Sequence, residues 1–160
     1  MAEKIDLNTL PKGLTKEEFT ALPNFKKIRS FFTWAGVVSI GSGILICSEI
    51  GKTAESVFQA GGSYDDMSRL WAVKLNMLFM IFDIVMGILL LKKKTTKMAY
   101  ILAITELVYI VLVLVLGGTI GIGAIAFLLA LAGAIRIDKK WKQYQEISGG
   151  SNQLNHTGNS

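Results

Sequence analysis

Four long apolar runs, at about 31–48, 70–91, 98–116 and 120–137, alternate with short polar segments along the chain. About 20 apolar residues in a helix cross the ~30 Å hydrocarbon core of a bilayer, and the four runs are close to that length. The pattern predicts an all-α polytopic membrane protein, a four-transmembrane-helix bundle over 31–137 with an outer loop at 50–69. An N-terminal segment, 1–30, precedes the bundle. A basic juxtamembrane helix at 138–147 and a disordered tail at 148–160 follow it.

Small and polar residues within each run predict which faces turn inward. In the first, Ala35, Ser39, Gly43 and Cys47 recur at every fourth position, forming a ridge that a neighbouring backbone can approach closely. Cys47 is read there as a packing residue, and Glu49 as the end of the span. In the second, Ala72, Asn76, Asp83 and Gly87 share a face, with Trp71 at interface depth. Lys74 falls on the opposite side, near the far interface, where it can pair with Glu49. In the third, Ala99, Ala103, Glu106, Val113 and Gly117 share a face, with Tyr109 at its edge. The fourth follows a Gly117-Gly118-Thr119 turn. Gly117 with Gly121, and then Ala126, Ala130 and Ala134, give it the small-residue spacing of close helix packing. A glycine-rich phosphate loop at 117–123 is excluded, because no strand precedes it.

The polar segments carry local signals. Thr15 and Glu18 read as a capping box, with Leu14 and Phe19 as its hydrophobic staple and Pro23 as a stop. A short amphipathic helix is expected, with Phe19 and Leu22 facing lipid or the mouth of the bundle. The outer loop breaks at Gly61-Gly62 after a turn or two of helix, and its Asp65-Asp66 pair reads as solvated. After the fourth run, Arg136, Lys139, Lys140 and Lys142 interleave with Trp141 and Tyr144. That is the pattern of a helix lying along headgroups on an apolar side made of Ile137, Trp141 and Tyr144.

Charge orients this arrangement. The chain has 17 Lys and Arg and a net charge of +5, and all but Lys52, Arg69 and Lys74 fall in segments that four spans bring to one side. That bias predicts N-in, C-in. Lys92, Lys93, Lys94 and Lys97, together with the cluster from Arg136 to Lys142, are placed against lipid headgroups. A nucleic-acid partner is not expected, because no polar domain presents these charges to a duplex. A single cysteine excludes an internal disulfide, and the single histidine, His156, lies in the tail. No metal, no cofactor and no enzymatic chemistry are expected from this set.

Two residues remain that suggest chemistry. Asp83 precedes the basic turn by nine residues and Glu106 follows it by nine. At ~1.5 Å per residue both carboxylates lie ~13–14 Å inside the same surface, near the middle of the membrane. An ionised carboxylate there costs at least ~2.5–3.5 kcal/mol on insertion scales. Asn76, Thr105, Tyr109, Ser39 and Ser42 are the available hydrogen-bonding groups, and Asp83, Glu106, Asn76 and Tyr109 form the candidate ion or proton site.

These features favour a small integral membrane protein that acts through helix–helix association. It would serve as a subunit, assembly factor or protective partner of another membrane protein, or as a homo-oligomer. The acids would then bond across helices. The alternative is a small proton- or cation-coupled transporter using the two carboxylates. The bacterial cytoplasmic membrane is the expected location, with an endomembrane as the other option.

Overall fold

A computed structural model describes residues 7–115 and 121–154, through the backbone alone at 67–69 and 149–154. Among these the regular structure is helical, with α1 Lys16–Ala21, α2 Lys26–Gln59, α3 Tyr64–Arg69, α4 Trp71–Lys93, α5 Thr96–Val115 and α6 Gly123–Leu154. Short 3-10 turns at Leu7–Thr9 and Pro23–Phe25 complete the set. Three helical stretches, Pro23–Gln59, Trp71–Lys93 and Thr96–Val115, are long and apolar enough to cross a membrane, and they make the chain a membrane protein. In α6 the apolar run, 123–135, ends at Arg136, after ~20 Å of helix.

The N-terminal segment folds as its signals predict. The Thr15 hydroxyl accepts from the Glu18 amide at 3.3 Å, and the Glu18 carboxylate accepts from the Thr15 amide at 2.8 Å. Leu22 is extended, as the residue before a proline must be, and α1 ends there.

α2 corrects the expected boundary. Glu49 does not close the first span, and 50–59 is helix rather than loop. Nothing in 49–59 breaks a helix, and Glu49–Lys52 and Glu55–Gln59 side-chain pairs line its surface. The stop comes at Gly61, whose φ of 80° lets its amide reach the Phe58 carbonyl while the Gly62 amide reaches Val57. Ser63 and Asp66 then form a second capping box and open α3, so Asp66 has a structural task. The Ser63 bonds hold its carboxyl below its ordinary value. At the other end, the helix expected to stop before a disordered tail continues to Leu154. Gly149-Gly150 weakens it without blocking it, and no proline follows. Residues 155–160, including His156, lie outside the described residues, as do Gly117, Gly118 and Thr119.

α2 packs along α4 and α6, α5 packs along α6, and α4 meets α5 more lightly, so the helices stand in the cyclic order α2, α4, α5, α6. Small residues decide the closest approach. A Cβ on Gly36 would lie 2.8 Å from the Gly87 carbonyl oxygen, and one on Gly87 would lie 2.7 Å from that of Gly36. Gly43 meets Ile84 and the Met80 carbonyl in the same way. Ala126, Ala130 and Ala134 are wholly buried, as their spacing predicts. Two members of the predicted ridges are corrected. Cys47 is exposed although Ile46 is buried, because residues spaced by four drift ~40° per step around a helix of ~3.6 residues per turn, which carries Cys47 off the inward face. Gly121 precedes α6, and a Cβ there would meet nothing within 4 Å.

A second apolar cluster closes one end of the bundle. Phe19 and Phe25 are wholly buried against Tyr144, with Leu7 and Trp141 beside them. The Phe19 ring lies 5.2 Å from Trp141 and 5.1 Å from Tyr144, centroid to centroid. The apolar side of the basic helix is therefore not turned to headgroups; the N-terminal segment covers it. The Tyr144 hydroxyl donates to the Pro11 carbonyl at 2.7 Å and accepts from the Leu14 amide at 3.1 Å.

Candidate functional site: an intramembrane pair of carboxylates

Helix geometry brings the four predicted polar residues into the bundle from α4 and α5. Asp83 and Glu106 are each 1% exposed. Asp83 faces α2, where the Ser39 hydroxyl donates to its backbone carbonyl at 2.9 Å and Ser42 bonds its side chain. Glu106 faces the start of α6. Its carboxylate fills the place a side chain at 123 would take, with the carboxyl carbon 3.1 Å from the ideal Cβ position of Gly123. The two acids are within electrostatic reach of each other and of the Tyr109 hydroxyl.

Asn76 and Tyr109 do not bind the acids. Tyr109 donates to the Asn76 side-chain oxygen at 3.3 Å, and its ring packs against Phe79 at 4.5 Å, tilted by 39°. Together they tie α4 to α5 one to two turns further from the basic turn. On the two faces, Val113 is half-buried and Ala72 is exposed. Lys74 is exposed over the Trp71 ring at 5.8 Å, and Glu49 pairs with Lys52 at 2.7 Å. The expected Lys74–Glu49 pair is thus replaced by a local one.

Three oxygens of the pair have no hydrogen-bond partner: Asp83 Oδ2, Glu106 Oε1 and Glu106 Oε2. A buried polar atom left unpaired costs ~1–3 kcal/mol, and a charged one more. Among the described residues, the buried polar side chains are Thr20, Ser39, Ser42, Asp83, Thr96 and Glu106, with no Lys or Arg to offset the acids. Beside Glu106 and Tyr109 lies a void of about 10 Å³. That is at the lower bound for one water. The pair therefore offers two carboxyls that can take up or release a proton, or accept one small cation, in a site shut off from solvent.

The basic residues gather at one end. Lys92, Lys93, Lys97, Arg136, Lys139 and Lys142 are exposed, and Lys94, Lys140 and Trp141 are half-buried. Arg136 stands over the Phe31 ring at 4.6 Å. One residue there escapes sequence reasoning. Asp138 pairs with Lys16 at 2.7 Å and accepts from Tyr100 at 2.9 Å, joining α1, α5 and α6. Its signal was its isolation as the only acid between Arg136 and Lys142. Gly36 and Gly123 also escaped, because each contacts a residue distant in sequence. No protein-family model, no curated protein and no solved structure matches the chain.

Proposed function

We propose that the protein is a four-pass membrane protein, N-in and C-in, whose working centre is Asp83 with Glu106. It moves a small solute coupled to a proton or a small cation, in a bacterial cytoplasmic membrane. The observation that carries this reading is the burial of both Glu106 oxygens and one Asp83 oxygen without a hydrogen-bond partner. An acid kept only to bond helices together would have found a donor; Asp83 has Ser42, and Glu106 has none. The small residues expected to receive a neighbouring helix are occupied within the chain, at Gly43 and Gly87 and along Ala126, Ala130 and Ala134. An even number of passes is supported by the N-terminal segment and the end of α6 sharing one end of the bundle, joined at Tyr144. The inward assignment of that end rests on its lysines and arginines.

In sealed liposomes the parent protein should support a pH-dependent solute or cation flux. Asp83→Asn and Glu106→Gln should each abolish it without loss of protein from the membrane. Absence of flux in the parent, or unchanged flux in both variants, would sink the proposal.

A second reading, association with another membrane protein or a second copy, is favoured by the opposite end. There Phe58, Tyr64, Leu70 and Trp71 are exposed, Trp71 to 83%. A photo-crosslinker at Tyr64 should trap a dimer of the purified protein or a defined partner in native membranes. A wholly monomeric outcome in both settings removes that reading.

A further inference from the structure

Beside the α4–α5 turn, apart from the carboxylate pair, the basic end of the bundle holds an open recess of about 640 Å³. Lys16, Arg29, Lys93, Lys94 and Lys97 line it, with Glu17 the only acid among the lining residues. Lys16 is already committed to Asp138 at 2.7 Å. The other four come from α2, the end of α4, the turn and the first residues of α5. With a single acid among the lining residues, this side of the recess is cationic and attracts an anion.

The shape of the recess says which anion. One edge is made by Ile101 and Ile104, 37% and 62% exposed on the outer face of a helix long and apolar enough to cross a membrane. The recess thus runs from a cationic floor to an apolar, lipid-facing edge. Arg29 supplies the planar fork that suits phosphate oxygens, and the lysines supply compact charges. The backbone adds an independent sign. Lys94 ends α4 with φ 48°, the sole non-glycine residue with positive φ among those described. Glycine is the usual and unstrained choice at that position. At Lys94 that conformation is held by a residue whose side chain lines the recess.

We propose that this recess binds one anionic phospholipid, its phosphodiester held by Arg29, Lys94 and Lys97 and an acyl chain laid along Ile101 and Ile104. Free inorganic phosphate offers the same charge but nothing for the isoleucines, so the lipid is the assigned occupant. The proposal does not depend on transport by the acid pair.

The test is native mass spectrometry of the full-length protein in mild detergent, titrated with phosphatidylglycerol, phosphatidylcholine or inorganic phosphate. Phosphatidylglycerol should be retained as a single copy per chain, resistant to millimolar phosphate and to phosphatidylcholine. Arg29→Gln with Lys97→Gln should weaken it by roughly fivefold per charge removed. Lys139→Gln with Lys142→Gln, on the same end but not among the residues that line the recess, should leave it within about twofold, because neither side chain can reach the phosphodiester directly. Lys94→Gly separates binding from folding: lipid retention should fall while thermal stability holds or rises. Equal loss in the Lys139/Lys142 control, undiminished binding in the recess variants, or displacement by inorganic phosphate would overturn the assignment.

Discussion

Gly36 and Gly41 lie five residues apart on α2 and should respond in opposite directions to the same methyl group. At Gly36 an added Cβ meets the Gly87 backbone at 2.8 Å and Leu91 at 3.0 Å. Backbone cannot step aside, so Gly36→Ala forces α2 from α4, at ~1–3 kcal/mol, the usual cost of overpacking. At Gly41 the nearest atom is an Ile122 methyl at 3.5 Å, ordinary contact. Gly41→Ala should therefore keep the helix-propensity gain of up to ~1 kcal/mol. Thermal denaturation of the two variants in one detergent checks both signs. Tyr144 gives a second prediction at this scale. Tyr144→Phe keeps the ring in the aromatic cluster but leaves the Pro11 carbonyl and Leu14 amide without their partner. That loss costs ~1–3 kcal/mol and should speed proteolysis at Lys12 before any global unfolding.

Among the elements, α1 has the most local logic, and its acid sensitivity can be worked out. Bonds from the Thr15 amide and hydroxyl hold the Glu18 carboxyl below its ordinary value of 4.5. A carboxyl with a lowered folded-state value adds stability above its ordinary value and loses it as pH falls through the folded one. The docking of α1 onto α6 should therefore loosen below about pH 4.5 and not above it. Trp141 reports this, since it packs on Phe19; with Trp34 and Trp71 changed to Phe, its emission should shift on acidification. The shift should be smaller in Glu18→Gln, and equal shifts in the two proteins would refute this account. Thr15→Ala removes the same cap at any pH, at about 1 kcal/mol. α2 teaches the reverse lesson. Its inner part was legible from the apolar run, but its outer ten residues are polar enough to read as loop. The i, i+3 and i, i+4 pairs and the glycine stop carry the helix on to Gln59.

For the whole molecule, the four-pass proposal makes a topological prediction. With Cys47→Ser as background, cysteines placed at Gln59 and at Lys142 should label from opposite sides with a membrane-impermeant maleimide. Labelling from one side would instead require α6 to stay out of the membrane. The apolar parts of the helices and the buried centres of α4 and α5 were readable in advance, because burying an acid or a run of alanines leaves a periodic mark. Asp83, Glu106, Ala99 and Ala103 are buried where that periodicity put them. The neighbours were not readable. Nothing in the spacing of α4 or α6 says that Ser42 meets Asp83 or that Gly123 meets Glu106. Such contacts join residues 41 and 17 positions apart and depend on which helix lies beside which.

The amino-acid sequence by itself determined the helical class, the basic end, the capping box and the equal chain distance of the two acids from the basic turn. Each follows from composition, periodicity or chain distance, which are local properties. Only the tertiary structure decided the cyclic order of the helices, the covering of Tyr144 and Trp141 by the N-terminal segment, and the isolation of Glu106 from any donor. Those are products of packing. Two glycines at Gly36 and Gly87 let α2 and α4 touch backbone to backbone, while α6 packs separately against α2 and α5.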